Sequence, residues 1–114
     1  MTFDEYQKQA LKTDLSYQDR AEVLSISFMD KVLGLVGESG EIADKIKKIL
    51  RDKKGQLSNE DRAELAKELG DVQWYIATLA HYLGVPLEQI VQENVEKLKS
   101  RQVRGTLSGK GDNR

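Results

Sequence analysis

Two stretches of apolar residues at helical spacing, set about a short glycine-bearing connector, constrain this chain more than any other feature. From about Arg20 to Leu50, Phe28, Val32, Leu35, Ile42, Ile46 and Ile49 recur in steps of four and three, with Ser39 filling the gap. That period is one stripe of an α-helix. Beyond the connector Arg51 to Ser58, which carries Gly55, the residues Leu65, Leu69, Val72, Ile76, Leu79 and Leu83 repeat the spacing. Two such helices joined by so short a loop form an antiparallel hairpin with stripe against stripe.

Shorter signals place the remaining elements. Thr2 with Glu5 has capping-box spacing and predicts a short first helix, and Ser58 with Asp61 has the same spacing ahead of the third. Asp14 to Asp19 reads as a connector. Gly84 suits the position just past a helix end, and Pro86 suits the first turn of a final helix with the stripe Leu87, Val91, Asn94 and Leu98. After Arg101 the composition turns to glycine, serine and charge. The expected fold is all-α: a four-helix bundle built on a long antiparallel helical hairpin. One helical domain spans residues 1–103, and residues 104–114 form a flexible tail. At 114 residues the chain has room for one domain.

Composition closes several routes to function. Eighteen basic residues against nineteen acidic ones leave a net charge of −1, which gives no global field to recruit nucleic acid or an anionic membrane. The absence of cysteine excludes disulfides, thiolate metal sites and cysteine nucleophiles. The single His81 cannot build a multi-histidine site, and a di-iron carboxylate motif would need a glutamate where Thr78 stands. No apolar run approaches the roughly 20 residues needed to span a bilayer, and no signal-peptide pattern opens the chain. The cytoplasm is the simplest compartment.

Any chemistry is therefore expected from two acidic motifs, Glu38-Ser39-Gly40-Glu41 and Glu68-Leu69-Gly70-Asp71. In each, two acids three residues apart share a helical face. All four stand one residue before a stripe position, so both pairs lie on the same flank of their apolar seams. The pairs are also equally distant from Lys54–Gly55, the middle of the connector. A hairpin folded there brings four carboxylates to one level. Clustered carboxylates repel one another and require protons or cations, and an all-oxygen donor set suits Mg²⁺, or Mn²⁺, rather than zinc. A solvated acidic face is the plainer alternative. Gly34, Gly37 and Gly40 each weaken a helix by roughly 1 kcal/mol relative to alanine, so something approaches this backbone closely, whether a ligand or a neighbouring helix.

The stretch Leu33-Gly34-Leu35-Val36-Gly37-Glu38-Ser39-Gly40-Glu41, followed by Glu68-Leu69-Gly70-Asp71-Val72-Gln73-Trp74-Tyr75, resembles the MazG-type all-α nucleoside triphosphate pyrophosphohydrolases, whose pattern is ExxE, a spacer, then ExxD. Asn94, Lys97, Leu98 and Arg101 resemble the family's C-terminal Asn-x-x-Lys-Leu-x-x-Arg segment. The likeness covers about Tyr6 to Arg104. It implies a MazG-like bundle in which Glu38, Glu41, Glu68 and Asp71 bind Mg²⁺ and catalyse attack of water on the α-phosphate of a nucleoside triphosphate, releasing a monophosphate and pyrophosphate. Gly37 and Lys67 stand where many members carry a further acid, which leaves the number of metal ions open. A phosphoribosyl-ATP pyrophosphohydrolase and a non-catalytic helical interaction module are the alternatives.

Several other residues join the expected site. Asn94 falls on an apolar stripe, where an amide is either a buried tie between helices or a ligand contact. Lys97 and Arg101, one turn apart, suit phosphate as point charge and fork, or form a solvated face. Lys45 could meet a phosphate or simply pair with Glu41. Tyr75 and its neighbour Trp74 could stack on a base, or could pack. Off the main stripe of the second helix stand Val23, Leu24, Met29, Leu33 and Val36. These call for a second copy, giving a homodimer or homotetramer.

Overall fold

The computed structural model describes residues 1–15 and 25–114. Among these residues the chain is all-α, with α1 (Phe3–Leu11), α2 (Ile26–Lys53), α3 (Asn59–Tyr82) and α4 (Leu87–Val103) and no strand. The second helix starts at Ile26, capped by Ser25, whose side chain accepts from the Phe28 N–H. Arg20, Val23, Leu24 and most of the connector expected from Asp14 to Asp19 lie outside the described residues.

Both capping boxes form. The Thr2 hydroxyl accepts from the Glu5 N–H while the Glu5 carboxylate takes the Thr2 N–H, and Ser58 and Asp61 do the same at the start of α3. The turn between α2 and α3 falls at Lys54 and Gly55, both left-handed with φ 52° and 77°. Glycine adopts that conformation freely; Lys54 adopts it as the last residue of a terminated helix. Pro86 sits one position outside the expected first turn, as the residue preceding α4, with fixed φ of −61°.

Helix α3 is the centre, touching α1, α2 and α4; α2 packs on α3 alone among the described helices. The α2–α3 pair is antiparallel. Lys53 meets Asp61 near the turn, Lys45 meets Glu68 midway, and Gly34 lies against Tyr75 further out. At the far end α1 closes over α3, with Ala10, Ala77 and Leu87 buried beneath Tyr6, Trp74 and Ile76. Buried Gln7 fastens this corner: its amide donates to the carbonyls of Ala77 and Val85 and accepts from the Leu87 N–H. Half of α4 then runs clear, leaving Val95 and Leu98 over 40% exposed on their helix. The radius of gyration, 17.0 Å, exceeds the roughly 13 Å of a compact domain of this size.

The loop end of the hairpin is locked by charge. The Lys53 ammonium lies 2.8 Å from Asp61, and together with the Ser58 N–H and hydroxyl it lowers the Asp61 carboxyl from 3.8 to about 2. An acid depressed in the folded state stabilises above its unfolded value and loses that contribution as pH falls through the folded one. Replacing Ser58 with alanine is expected to cost about 1 kcal/mol at neutral pH, the usual worth of such a cap. Asp61→Asn is expected to destabilise in the same direction, with a penalty that shrinks between pH 3.8 and about 2. Urea unfolding across that range checks both, and a pH-independent penalty for Asp61→Asn would show that the charge is not what matters.

Candidate metal centre

The helical hairpin delivers three of the four expected acids to one place. Glu38 from α2 and Glu68 and Asp71 from α3 offer carboxylate oxygens that all lie within 4.8 Å of one another. Glu38 and Glu68 are half-buried and Asp71 is exposed. Their elements explain the meeting. Glu68 and Asp71 are one turn apart on α3, and the antiparallel register set at Lys54–Gly55 carries Glu38 to the same height. Glu41 differs: it is exposed and outside this group.

The cluster is short of positive charge. The Glu38 carboxyl is held above its ordinary value of 4.5, first by desolvation, then by the charges of Asp71, Glu68 and Glu41 and by a hydrogen bond shared with Glu68. These are the conditions in which a hard cation is the natural counter-charge, since every donor is a carboxylate oxygen. Among the described residues Lys45 brings a cation to this cluster, its ammonium 2.9 Å from Glu68 and 3.7 Å from Glu64. Lys45 therefore crosses to α3 rather than pairing with Glu41 along its own helix, and Glu68 holds its ammonium above the usual lysine range.

Beside the acids lies an open pocket of about 320 Å³ lined by Glu38, Asp71, Trp74 and Tyr75. Tyr75 is half-buried, and its ring edge lies where a Cβ on Gly34 would be, about 2.1 Å from the ring. Only glycine admits the ring there. Among the described residues nothing beyond their own stretch of helix lies within 4 Å of a Cβ added at Gly37 or Gly40. Of the three glycines, Gly34 is the one with a close approach among the described residues. Trp74 stands edge-on to Tyr75 with centroids 4.9 Å apart, and its indole N–H donates to the Thr13 hydroxyl at 2.7 Å.

Behind Trp74 sits a group that the sequence alone does not reveal. Lys31 is 1% exposed and its ammonium is 2.9 Å from Asp14, which also accepts from the Tyr82 hydroxyl. The same ammonium stands 5.6 Å from the ring centroids of Trp74 and Tyr82. Burial alone would lower the Lys31 pKa; hydrogen bonds to Asp14 and Asp30 and the charge of Asp14 outweigh it and raise the value. Tyr6 of α1 likewise feels the site: burial and then the charge of Asp71 raise its hydroxyl pKa. Lys31 stands two turns before Glu38 on α2, where a lysine reads as part of a solvated face, and Tyr6 lies in α1 outside both acidic motifs.

The α4 residues are placed elsewhere. Asn94 is exposed, not a buried tie. Lys97 lies 3.1 Å from the Asp112 carboxylate, and Arg101, 4% exposed, donates to the Asp112 carbonyl at 2.6 Å. Both thus engage residue 112, within the segment expected to be a tail. Helix α4 makes no contact with α2 among the described residues, so one protomer does not bring Lys97 and Arg101 onto Glu38. No helix among the described residues is long and apolar enough to cross a membrane.

Comparison with known proteins finds a family and two relatives to which the chain is similar. Residues 28–105 match a family model described as the MazG nucleotide pyrophosphohydrolase domain. The chain is 50% identical to the Gene 37 protein of Mycobacterium phage L5 over the full length of both. It is also 38% identical over 72 residues to the uncharacterized protein YvdC of Bacillus subtilis (strain 168), covering 59% of this chain and 68% of that protein. No solved structure gives a significant match.

The elevated Glu38 carboxyl has a consequence for stability. Between 4.5 and its raised value the folded chain binds more protons than the unfolded one, so this residue's contribution falls as pH rises through that window. In metal-free buffer at neutral pH, Glu38→Gln is expected to melt at or above the temperature of the parent. The gap is expected to close at about pH 4, where the unfolded carboxyl is itself protonated. Thermal unfolding with a chelator present checks this; a lower melting temperature at neutral pH would make Glu38 a structural strut instead.

Proposed function

The chain belongs to the MazG nucleotide pyrophosphohydrolase domain family, and on that premise we propose that it hydrolyses nucleoside triphosphates to the monophosphate and pyrophosphate, in the cytoplasm, with Mg²⁺ or Mn²⁺ as cofactor. The observation that carries this reading is the convergence of Glu38, Glu68 and Asp71 from two helices within 4.8 Å, beside an aromatic-walled pocket.

In this reading Glu38, Glu68 and Asp71 hold the divalent ion, which when bound would polarise phosphate oxygens and partly neutralise the triphosphate. Glu41, exposed one turn along α2, takes the proton of the water whose oxygen attacks the α-phosphorus. The bond to the bridging oxygen breaks and pyrophosphate leaves. Tyr75, clamped against Gly34 and backed by Trp74, gives the nucleoside a rigid apolar wall. Lys45 meets phosphate at the Glu68 edge.

Asn94, Lys97 and Arg101 complete phosphate capture through assembly. Lys97 and Arg101 already engage Asp112, the kind of contact a phosphate would make. Their helix does not touch α2 of its own chain, so we assign them to the cluster of a neighbouring protomer in a homodimer or homotetramer. Three features support this. Leu33 and Val36 are each 66% exposed, and with Gly37 and Gly40 they share one face of α2. That helix has a single described partner. The accessible surface, 8342 Å², exceeds the roughly 6,300 Å² of a compact monomer of 12.9 kDa.

Pyrophosphate release measured over a panel of nucleoside triphosphates, with phosphoribosyl-ATP included and with and without Mg²⁺, tests the activity. Metal-dependent release from nucleoside triphosphates is expected, with a loss of at least about 100-fold for Glu38→Gln, Glu68→Gln or Asp71→Asn. Release from phosphoribosyl-ATP alone would move the chain to that substrate. No release from any compound would leave a non-catalytic helical module.

Assembly has its own test. Light scattering at micromolar concentration is expected to show a dimer or tetramer, and Val36→Glu is expected to lower that mass. A fully active monomer would refute the shared site.

A further inference from the structure

Residues 105–114 do not leave α4 as a loose tail. Gly105, Gly109 and Gly111, with φ of 68°, 139° and 80°, reverse the chain in a conformation that other residues rarely adopt. The Thr106 N–H donates to the Arg101 carbonyl at 2.8 Å. Arg114 closes the loop on itself, its guanidinium donating to the carbonyls of Thr106, Leu107 and Gly111. Asp112 is thereby returned to the helix that precedes it. Its carboxylate lies 3.1 Å from the Lys97 ammonium, and its carbonyl accepts from Arg101 Nη2 at 2.6 Å. Arg101 is buried against this segment although Leu98 and Val103 of the same helix are exposed.

The fit is incomplete, and what is missing points to another occupant. Among the described residues the Arg101 guanidinium donates through Nη2, to the carbonyls of Gly111 and Asp112 and, at 3.4 Å, to the Asp112 carboxylate. Its Nε is buried without an acceptor, and so is the nearby Thr106 hydroxyl. Buried donors left unpaired are costly, and a guanidinium gains most from an oxyanion that takes two of its N–H groups side by side. Asp112 does not do this: its carboxylate is largely exposed and meets Arg101 at one nitrogen. A phosphate carries more charge and presents oxygens in several directions. We propose that residues 105–114 are a displaceable strap, which holds Lys97 and Arg101 through Asp112 in the free protein and is driven off when the phosphates of a bound nucleotide take both cations. This rests on the phosphate-capture reading of Lys97 and Arg101 above and adds a competitor for that site carried by the chain itself. An exposed ion pair such as Lys97–Asp112 exchanges easily. While the strap is closed, the apparent phosphate affinity falls by the fraction of chains in which it is open.

Inorganic pyrophosphate with Mg²⁺, which the proposed activity does not consume, is the probe. In the ¹⁵N-labelled full chain the amide signals of residues 107–113 are expected to move to random-coil positions as pyrophosphate saturates, and calorimetry follows its affinity. Gly109→Val opens the strap without altering charge, because its Cβ would lie 2.9 Å from Arg114 Cδ at a φ of 139°. It is expected to bind pyrophosphate about 10-fold more tightly, the gain if the strap is closed in about nine-tenths of the free chains. Asp112→Asn is expected to gain less, about 3-fold, since the carbonyl contacts remain. Arg101→Gln is expected to weaken pyrophosphate binding. Circular dichroism checks that each variant keeps the helices of the parent. Pyrophosphate binding with residues 107–113 unmoved, or an unchanged affinity in Gly109→Val, would overturn the strap while leaving phosphate capture on α4 intact. No binding, or binding indifferent to Arg101→Gln, would remove the phosphate site on α4 and the strap with it.

Discussion

Everything at the site depends on the register between α2 and α3. Carboxylates avoid one another in a partly desolvated place, so Glu38, Glu68 and Asp71 do not gather by attraction. They are carried together by a packing arrangement whose stability comes from elsewhere. At the turn, two consecutive left-handed residues and the Lys53–Asp61 pair set where the helices begin to face each other. At the far end the Tyr75 ring lies on the Gly34 backbone, a contact that a slip of one residue would turn into a clash with the Cβ of Leu33 or Leu35. Between those fixed points the acids have no freedom to separate. The repulsion is thus held in place by the fold, and under the proposed function a cation would relieve it.

The aromatic side of the site is held by a second arrangement. Lys31 lies beneath Trp74 and Tyr82 and pairs with Asp14, at the end of the described segment that follows α1. A buried ion pair is weak evidence for stability, because desolvation offsets much of its attraction. Its effect here is geometric. Trp74 is held by the Lys31 ammonium under its ring, the Thr13 hydroxyl on its N–H and Tyr75 at its edge. Three contacts from three chain segments orient one indole, and that indole forms a wall of the pocket containing Glu38 and Asp71. The α1 end of the molecule therefore bears on the site without contributing a ligand.

What could be read from the sequence was what is written locally or in simple periods. The caps at Thr2 and Ser58 are legible because four consecutive residues contain both partners of each hydrogen bond. The common level of the two acidic motifs is legible because helix pitch and the turn position determine height. The position of Glu41 was not, because which of two acids on one helix turns inward depends on how the helices rotate against each other, a property of the packed pair. Lys31 was invisible for a related reason: a lysine on a helix reads as solvated unless Asp14 and two aromatic rings, distant in sequence, are known to surround it. Asn94 and Leu98 show the limit from the other direction. Their stripe has helical spacing, yet both are exposed, because periodicity records that a face is to be covered and not by which chain.

That last distinction bears on how a protein this thin can build a site. A helix of 28 residues with one described neighbour exposes most of its circumference, and the face bearing Leu33 and Val36 is apolar while the face bearing Glu38 is charged. A single hairpin can set a row of acids on its flank, but it cannot enclose them, and electrostatic contacts gain strength only as water is excluded. Enclosure needs further helices. The chain's own α4 turns away at the Gly84–Pro86 corner, taking Lys97 and Arg101 with it, so these cations and the carboxylate cluster lie on separate arms of one protomer. Separation of this kind prevents the arginine and the acids from neutralising each other within the chain. It leaves the carboxylates short of charge, and Lys97 and Arg101 engaged by the C-terminal residues Gly111 and Asp112. Under the proposed function, a second copy supplying α4 while receiving the same in return would close two sites with one twofold contact, and opposite charges held apart in each chain would then meet across a metal and a polyphosphate.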